Sequence, residues 1–284
     1  MFNLRTIIFI TVAFSLFSCS EKTDGKKEGD GATATTNKNV QTTLRIAAVP
    51  TMECVSLGLL SSASVQQALG AKIPVVVKFY CSQFDCDTAL LGGSVDMSVM
   101  DNQRRAYYEA KGHHFKEILS LRGEQGIVLG RNVRLRSIAD LSRKLVGMSR
   151  HSVSSQFLSL TLSAGKVLTE DVLATQVNDL ALRKRMLITG QLEIAILPEP
   201  WLTASILEGA RVAKIQGARQ EYEASLVVLA ANGSKLKSKV SSLKKFYAEI
   251  QKRKKEFTAQ RDSILKTQYE LPQAVIDSIN STSR

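Results

Sequence analysis

The chain has 284 residues, of which 44% are hydrophobic and 23% charged; this excludes disorder as its default and leaves room for one large domain or two smaller ones. Its formal net charge of +12 raises nucleic-acid binding, but no recognition motif and no set of stacking aromatics accompanies the charge, so nucleic acid is not expected as a partner. The main basic run, Lys235 to Lys266, sets a few apolar residues at helical spacing among many Lys and Arg, the pattern of a solvated helical face that an anionic membrane surface would attract weakly.

In chain order, Arg5 precedes the apolar run "IIFITVAFSLF" and then Ser18 and Cys19. That is the plan of an export signal, and the run is too short to span a bilayer comfortably. The junction "LFSC" resembles the lipobox of bacterial lipoproteins, which implies a signal peptide over residues 1–18 and lipidation of Cys19. Phe17 is unusual at its place in that box, so a differently cleaved signal is the alternative. Ser20 to Asn39 has no apolar periodicity and is rich in Gly, Thr, Lys and acids, so residues 19–42 read as a flexible tether that holds the protein to the membrane through its N-terminal lipid.

"LRIAAVP" and "IPVVVKFY" follow as apolar strands around a helical segment, Val55 to Leu69. A helical stretch then ends at Gly92 and Gly93 and leads into the strand "VDMSVMD". A second series has the same order. "KLVGMS" leads to the helical "SSQFLSLTLSA", a short strand near "ATQVN", the helix in "DLALRKRMLITG", and the strand "EIAILPEPW". The stretch "LLGGSVDMSVMD" (Leu90 to Asp101) is thus echoed by "LITGQLEIAILP" (Leu187 to Pro198). Each echo places a glycine, Gly93 or Gly190, where a helix end needs a left-handed residue before an apolar strand. Strands alternating with helices predict an α/β fold of open, mostly parallel sheets. "GIVLGRN" (Gly126 to Asn132) and "SLVVLAAN" (Ser225 to Asn232) fit neither series and read as two crossings between lobes. "RSIADL" reads as a short helix opened by Ser137, and the helices of Lys235 to Asn280 are expected to return to the first lobe.

The pieces "LRIAAVPT", "ALLGGSVDMSVMD", "RSIADLSRKLVGMSRHSVSS", "LTEDV", "LITGQLEIAILPEPW" and "SLVVLA" resemble, in that order, the type 2 periplasmic substrate-binding proteins of ABC importers. The resemblance is to the group of nitrate, sulfonate, taurine and thiamine-pyrimidine-precursor binders. It implies two αβ lobes with a ligand cleft between them, the first lobe from residues 43–124 and 226–284, the second from 125–225. It also implies a monomeric, lipid-anchored receptor in the cell envelope, facing the periplasm or the outside of a single-membrane cell. Such a receptor captures a small polar or anionic molecule, such as a nitrogen- or sulfur-containing organic compound, and delivers it to an ABC permease. No catalytic residue, cofactor or metal is implied. An enzyme or a ligand sensor on the same fold is the alternative.

In open α/β sheets ligands sit beyond the carboxyl ends of the strands. After the first strand this rule selects Thr51, Met52, Glu53 and Cys54; after the second, Gln83, Asp85, Cys86, Asp87 and Thr88; after the third, Asp101 and Asn102. In the second series it selects Ser149, Arg150, His151, Ser152, Ser154 and Ser155, then Glu199 and Trp201. "SRHSVSS" can seat an anion at a helix start, or its serines can cap that helix and use the same donors. Trp201 can stack on a ligand or pack at the lobe edge. Glu53, Asp87, Asp101 and Glu199 set an acidic wall against this basic helix start, which suits a ligand with an amine or ring nitrogen as well as an anionic group.

With Cys19 lipidated, Cys54, Cys81 and Cys86 remain. Cys54 and Cys86 follow strands expected to be neighbours, so they should lie within reach of each other, as a disulfide, as free thiols or as soft-metal ligands. Cys81 reads as a buried small hydrophobe. Adjacent His113 and His114 have no further ligand at metal spacing and read as a solvated turn.

Overall fold

A computed structural model describes residues 43–282, so the signal segment, Cys19 and the tether lie outside the described residues. The first series forms β1 (Leu44–Ala48), α1 (Met52–Gly58), α2 (Ala63–Ala68), β2 (Val75–Phe79), α3 (Gln83–Leu91), β3 (Met97–Asp101) and α4 (Asn102–Glu109). A long strand, β4 (Phe115–Leu129), leads to β5 (Leu145–Met148), α5 (Val153–Ala164), β6 (Leu173–Gln176), α6 (Leu180–Ile188), β7 (Ile194–Pro198) and α7 (Trp201–Leu207). Short β8 (Arg211–Val212) and long β9 (Arg219–Leu229) follow, then α8 (Lys237–Lys252), α9 (Thr258–Thr267) and α10 (Gln273–Thr282).

The strands lie in the order β2-β1-β3-β9-β4-β7-β5-β6, with β8 on β4. In each half a central strand, β1 or β5, pairs in parallel with its two neighbours. Between these triplets β9 and β4 run antiparallel to each other and to the flanking β3 and β7. The arrangement is therefore two equivalent β-α-β-α-β units joined by a two-stranded waist. β3 and β7, buried along their whole lengths, are the near-continuous apolar runs that parallel strands covered on both faces require. Each echoed glycine ends a helix in the left-handed region, Gly93 at φ 73° and Gly190 at φ 79°. Ser137 opens a short 3-10 turn, Ile138–Leu141, through a capping box with Asp140.

Three differences from the sequence reading have physical causes. The waist strands are longer than their apolar runs and pair from Phe115 with Leu229 to Gly126 with Arg219, because their outer parts alternate exposed and buried residues where one face meets water. β2 is an edge strand with Val76 51% exposed, so Cys81 just beyond it is exposed rather than buried. Of the C-terminal helices, α8 packs Leu243, Phe246 and Ile250 into the first half's core with Lys244 and Lys245 outside. α10, however, packs Val275, Ile276 and Ile279 in a cluster with Trp201 and Leu202 of α7 and so covers the second half.

Candidate functional site

Where the carboxyl ends of the two parallel triplets face each other across the waist, the chain leaves a half-open cavity of about 70 Å³. From the first half it is lined by Thr51, Glu53, Gln83 and Asp101, from the waist by Gln125 and Tyr222, and from the second half by Ser149, Ser152, Ser154, Asn178 and Arg183.

The first-half wall carries two carboxyls. Asp101 ends β3 and caps α4, accepting the Arg104 backbone N–H at 2.9 Å. It also faces the backbone N–H of Val153 on α5, and burial raises its pKa to about 6 against those donors. Glu53, in the first turn of α1, accepts the Tyr222 hydroxyl at 2.7 Å, and burial pushes its carboxyl up as well. Between them, Thr51 is 3% exposed and its Oγ1 has no hydrogen-bond partner. The hydroxyl lies near enough to Glu53 and Cys54 for its O–H, turned toward either, to favour their ionised forms. Gln83 is fixed by donating to Asp87 Oδ1 at 3.0 Å and to Val99 O at 2.6 Å, and Gln125 donates to Val153 O at 3.1 Å.

The second-half wall is satisfied from within. Ser152 Oγ accepts the N–H of Ser154 and, in a capping box, that of Ser155, whose hydroxyl in turn accepts the Ser152 N–H. With the Val153 N–H facing Asp101, the free donors of the α5 start are occupied, and of the two readings of "SRHSVSS" the geometry is that of capping. Arg183 is 1% exposed and donates to Val177 O at 2.7 Å, to Ile196 O at 2.8 Å and to Ser149 Oγ. Burial presses its pKa down, opposed by the charge of Asp179.

Of the residues selected from sequence, Thr51, Glu53, Gln83, Asp101, Ser149, Ser152 and Ser154 meet at this cavity. Met52 and Glu199 instead line a more open groove of about 440 Å³ beside the waist, which Glu53 also borders with Arg122, Arg219 and Glu221. Cys54 and Cys86 are free thiols buried in the same core cluster; burial pushes the Cys86 thiol up, and the neighbouring Cys54 adds to the shift. Asp87 is buried in an ion pair with Arg104, and Thr88 is exposed and bonded to Phe84 O. Asp87, four residues on, shares the face of Gln83 and accepts its amide but is turned to Arg104 behind the cavity wall, whereas Thr88 lies on another face of the helix. Arg150 and His151 are exposed, the Arg150 carbonyl accepting from Arg104 and the His151 ring stacking on Tyr107 with centroids 4.0 Å apart. Ser155 serves the cap. Trp201 is buried, its indole N–H donating to Pro50 O at 2.7 Å, which ties the two halves at the lobe edge.

The selection from sequence lacks Gln125, Asn178, Arg183 and Tyr222; Asn178 just follows β6, where the strand-end rule would have reached it, and the other three lie outside that rule. Arg183 had a signal: with Leu180 and Leu187 it occupies the buried stripe of α6, a position where a charged residue needs a reason to stay. Among the described residues no group of three or more His, Cys, Asp or Glu could hold a metal ion, and no helix is long and apolar enough to cross a membrane.

No family model matches the chain, and no curated protein sequence matches it. Solved structures do. The periplasmic aliphatic sulphonate-binding protein of Escherichia coli superposes with a TM-score of 0.63 at 17% identity, over 83% of this chain and 81% of that one. The alkanesulfonate-binding protein of Xanthomonas axonopodis pv. citri, bound to MOPS, gives 0.66 at 18% identity over 83% and 82%. A zinc-bound ligand-binding component of an ABC-type import system from Staphylococcus aureus gives 0.67 at 15% identity over 82% and 81%. The chain thus has the two-lobed α/β fold of type 2 periplasmic binding proteins, each lobe an open, mostly parallel sheet flanked by helices. These neighbours are binding proteins rather than enzymes.

Proposed function

We propose that the protein is a solute-binding receptor that captures a small polar molecule between two lobes and hands it to an ABC permease. The observation that carries the reading is the pocket bordered by polar side chains of both β-α-β-α-β units and of the waist between them, in a fold shared with ABC solute-binding proteins. A solute that touches both walls stabilises the closed arrangement over an open one, so capture and closure are one equilibrium. In this reading residues 43–124 and 226–284 form the first lobe and residues 125–225 the second, with α10 of the C-terminal segment laid across onto the second. Thr51, Glu53, Gln83, Asp101, Gln125, Tyr222 and Arg183 are the residues that meet the solute. In the same reading the export signal is removed, Cys19 carries the lipid, and the tether holds a monomeric receptor at the outer side of the membrane, one of the group of nitrate, sulfonate, taurine and thiamine-precursor binders.

Native mass spectrometry of freshly purified protein, combined with small-angle X-ray scattering, tests the reading. The expected result is a small non-covalent molecule on the chain, or a solute from a transport-substrate library that raises Tm and reduces the radius of gyration. A bare chain whose Tm and radius respond to no solute overturns it.

A further inference from the structure

We propose that the solute carries a cationic nitrogen, an ammonium or a protonated ring nitrogen, seated between the carboxylates of Glu53 and Asp101. The inference deepens the receptor reading and rests on it.

The charges of the lining point this way. Its ionisable acids and bases are Glu53, Asp101, Tyr222 and Arg183. Tyr222 stays a neutral phenol, since burial pushes its pKa well up. Asp101 balances Arg183 in formal charge, and Glu53, whose carboxyl burial pushes up with no cation beside it, is the group that a cationic guest would favour in its ionised form. Neither carboxyl is held by a cationic side chain as an ion pair: Glu53 accepts a phenol hydroxyl at 2.7 Å and Asp101 a backbone N–H at 2.9 Å. Arg104, whose charge reaches Asp101, gives its guanidinium to Asp87 and to the Arg150 carbonyl.

The hydrogen-bonding inventory shows that a polar group of the solute is wanted beside these carboxyls. The Thr51 hydroxyl lines the cavity, is 3% exposed and has no partner. A buried hydroxyl left alone is unfavourable, and a polar group of the solute, such as an N–H, would satisfy it. The opposite wall offers an anion little. The donors at the α5 start are taken by Ser152 and Asp101, and Arg183 has three of its N–H groups on Val177 O, Ile196 O and Ser149 Oγ. A sulfonate or carboxylate placed there would meet the Asp101 carboxylate. Arg183 keeps only two of its five N–H groups, whereas neither Glu53 nor Asp101 has a cationic partner, so the group recognised between these carboxyls is a donor with positive charge.

The test uses matched pairs that differ by one amino group, namely ethanolamine with ethylene glycol, β-alanine with propionate, and aminomethanesulfonate with methanesulfonate. Tm is followed in the wild type, Glu53→Gln and Asp101→Asn, with native mass spectrometry of the purified protein in parallel. Both substitutions keep shape and one acceptor oxygen, so a variant that failed to fold would leave the other to decide. The expected result is stabilisation of the wild type by an amine member and not by its deaminated partner, or a co-purified molecule containing a basic nitrogen. The half-saturating concentration then rises about tenfold or more in each variant, as loss of a charge-assisted hydrogen bond implies, and rises in the wild type as pH falls through about 6, where Asp101 takes up its proton. Deaminated partners that stabilise equally, a co-purified molecule without a basic nitrogen, or variants that respond like the wild type overturn the proposal and leave the receptor reading in place. No bound molecule and no response to any probe overturns both.

Discussion

The two β-α-β-α-β units share a topology and differ in how far their polar groups are satisfied. After β1, Thr51 stands at the N-cap of α1 with its hydroxyl unbonded, whereas after β5, Ser152 caps α5 through its Oγ. After β3, Asp101 turns its carboxyl into the cavity, whereas after β7, Glu199 turns its carboxyl back onto the Thr203 N–H beside the waist groove. The first unit leaves acceptors open and the second closes its donors on itself. A duplicated fold thus supplies equivalent places, and the difference in satisfaction between them is the ground for proposing that the solute's cationic group sits on the first wall.

The sharpest way to break the comparison is at Arg183, on which the closed character of the second wall depends. Its guanidinium holds two backbone carbonyls and Ser149 in an environment that is 1% exposed. Arg183→Ala strips the donors from buried acceptors and is expected to destabilise by about 3–5 kcal/mol in urea denaturation. Arg183→Lys keeps the charge without the fork and should recover less than half of that. On the first wall the helix α3 offers only the Gln83 amide, bonded to Asp87 and Val99 O, and Gln83→Ala should lose about 1–2 kcal/mol. Equal losses at Arg183 and Gln83 would remove the asymmetry.

How much of this was legible follows from what sequence periodicity can carry. β1, β3 and β7 are apolar and covered, so length and composition identify them, and the strand-end rule then reaches Thr51, Glu53 and Asp101. Beyond β2 the same rule gathers Cys86, Asp87 and Thr88 with Gln83, because sequence proximity does not say which way a helix turns; Cys86 and Asp87 are instead buried in the first half. The waist hides its contribution. Lys116, Glu117, Glu221 and Glu223 make the outer parts of β4 and β9 resemble polar loops, so Gln125 and Tyr222 are reached only once the pairing of the two strands is known. Arg183 lies in mid-helix, where no strand-end rule looks.

A smaller effect tests whether the two units are equivalent in the frame that holds these walls. Gly93 and Gly190 end matching helices with positive φ, and a Cβ added at either would meet nothing within 4 Å. The penalty of Gly93→Ala and of Gly190→Ala is therefore conformational alone, about 1–2 kcal/mol in each case. Thermal denaturation should give the two variants the same loss. A marked difference would mean that the echoed junctions are not equivalent.

The finest test is the pH dependence of Asp101, because it separates a solute-facing carboxylate from a mere helix cap. Burial raises its native pKa from 3.8 to about 6. The ionised form is thus penalised in the native state. The penalty is full above about pH 6 and fades as pH falls toward the unfolded value near 3.8, so wild-type stability gains from this group on acidification. Asp101→Asn removes the charge and the dependence together. The asparagine oxygen still caps α4 through the Arg104 N–H, but its amide places an N–H against the Val153 N–H, which offsets part of the gain. The ligand-free variant is therefore expected to be more stable than the wild type at pH 7 by about 1 kcal/mol, with the difference shrinking as pH drops below 6. Tm measured from pH 7.5 to 4.5 reads this directly. A cap that served structure alone would make the variant less stable at every pH, whereas a carboxylate kept charged and buried for a cationic guest predicts a variant that gains stability as it loses binding.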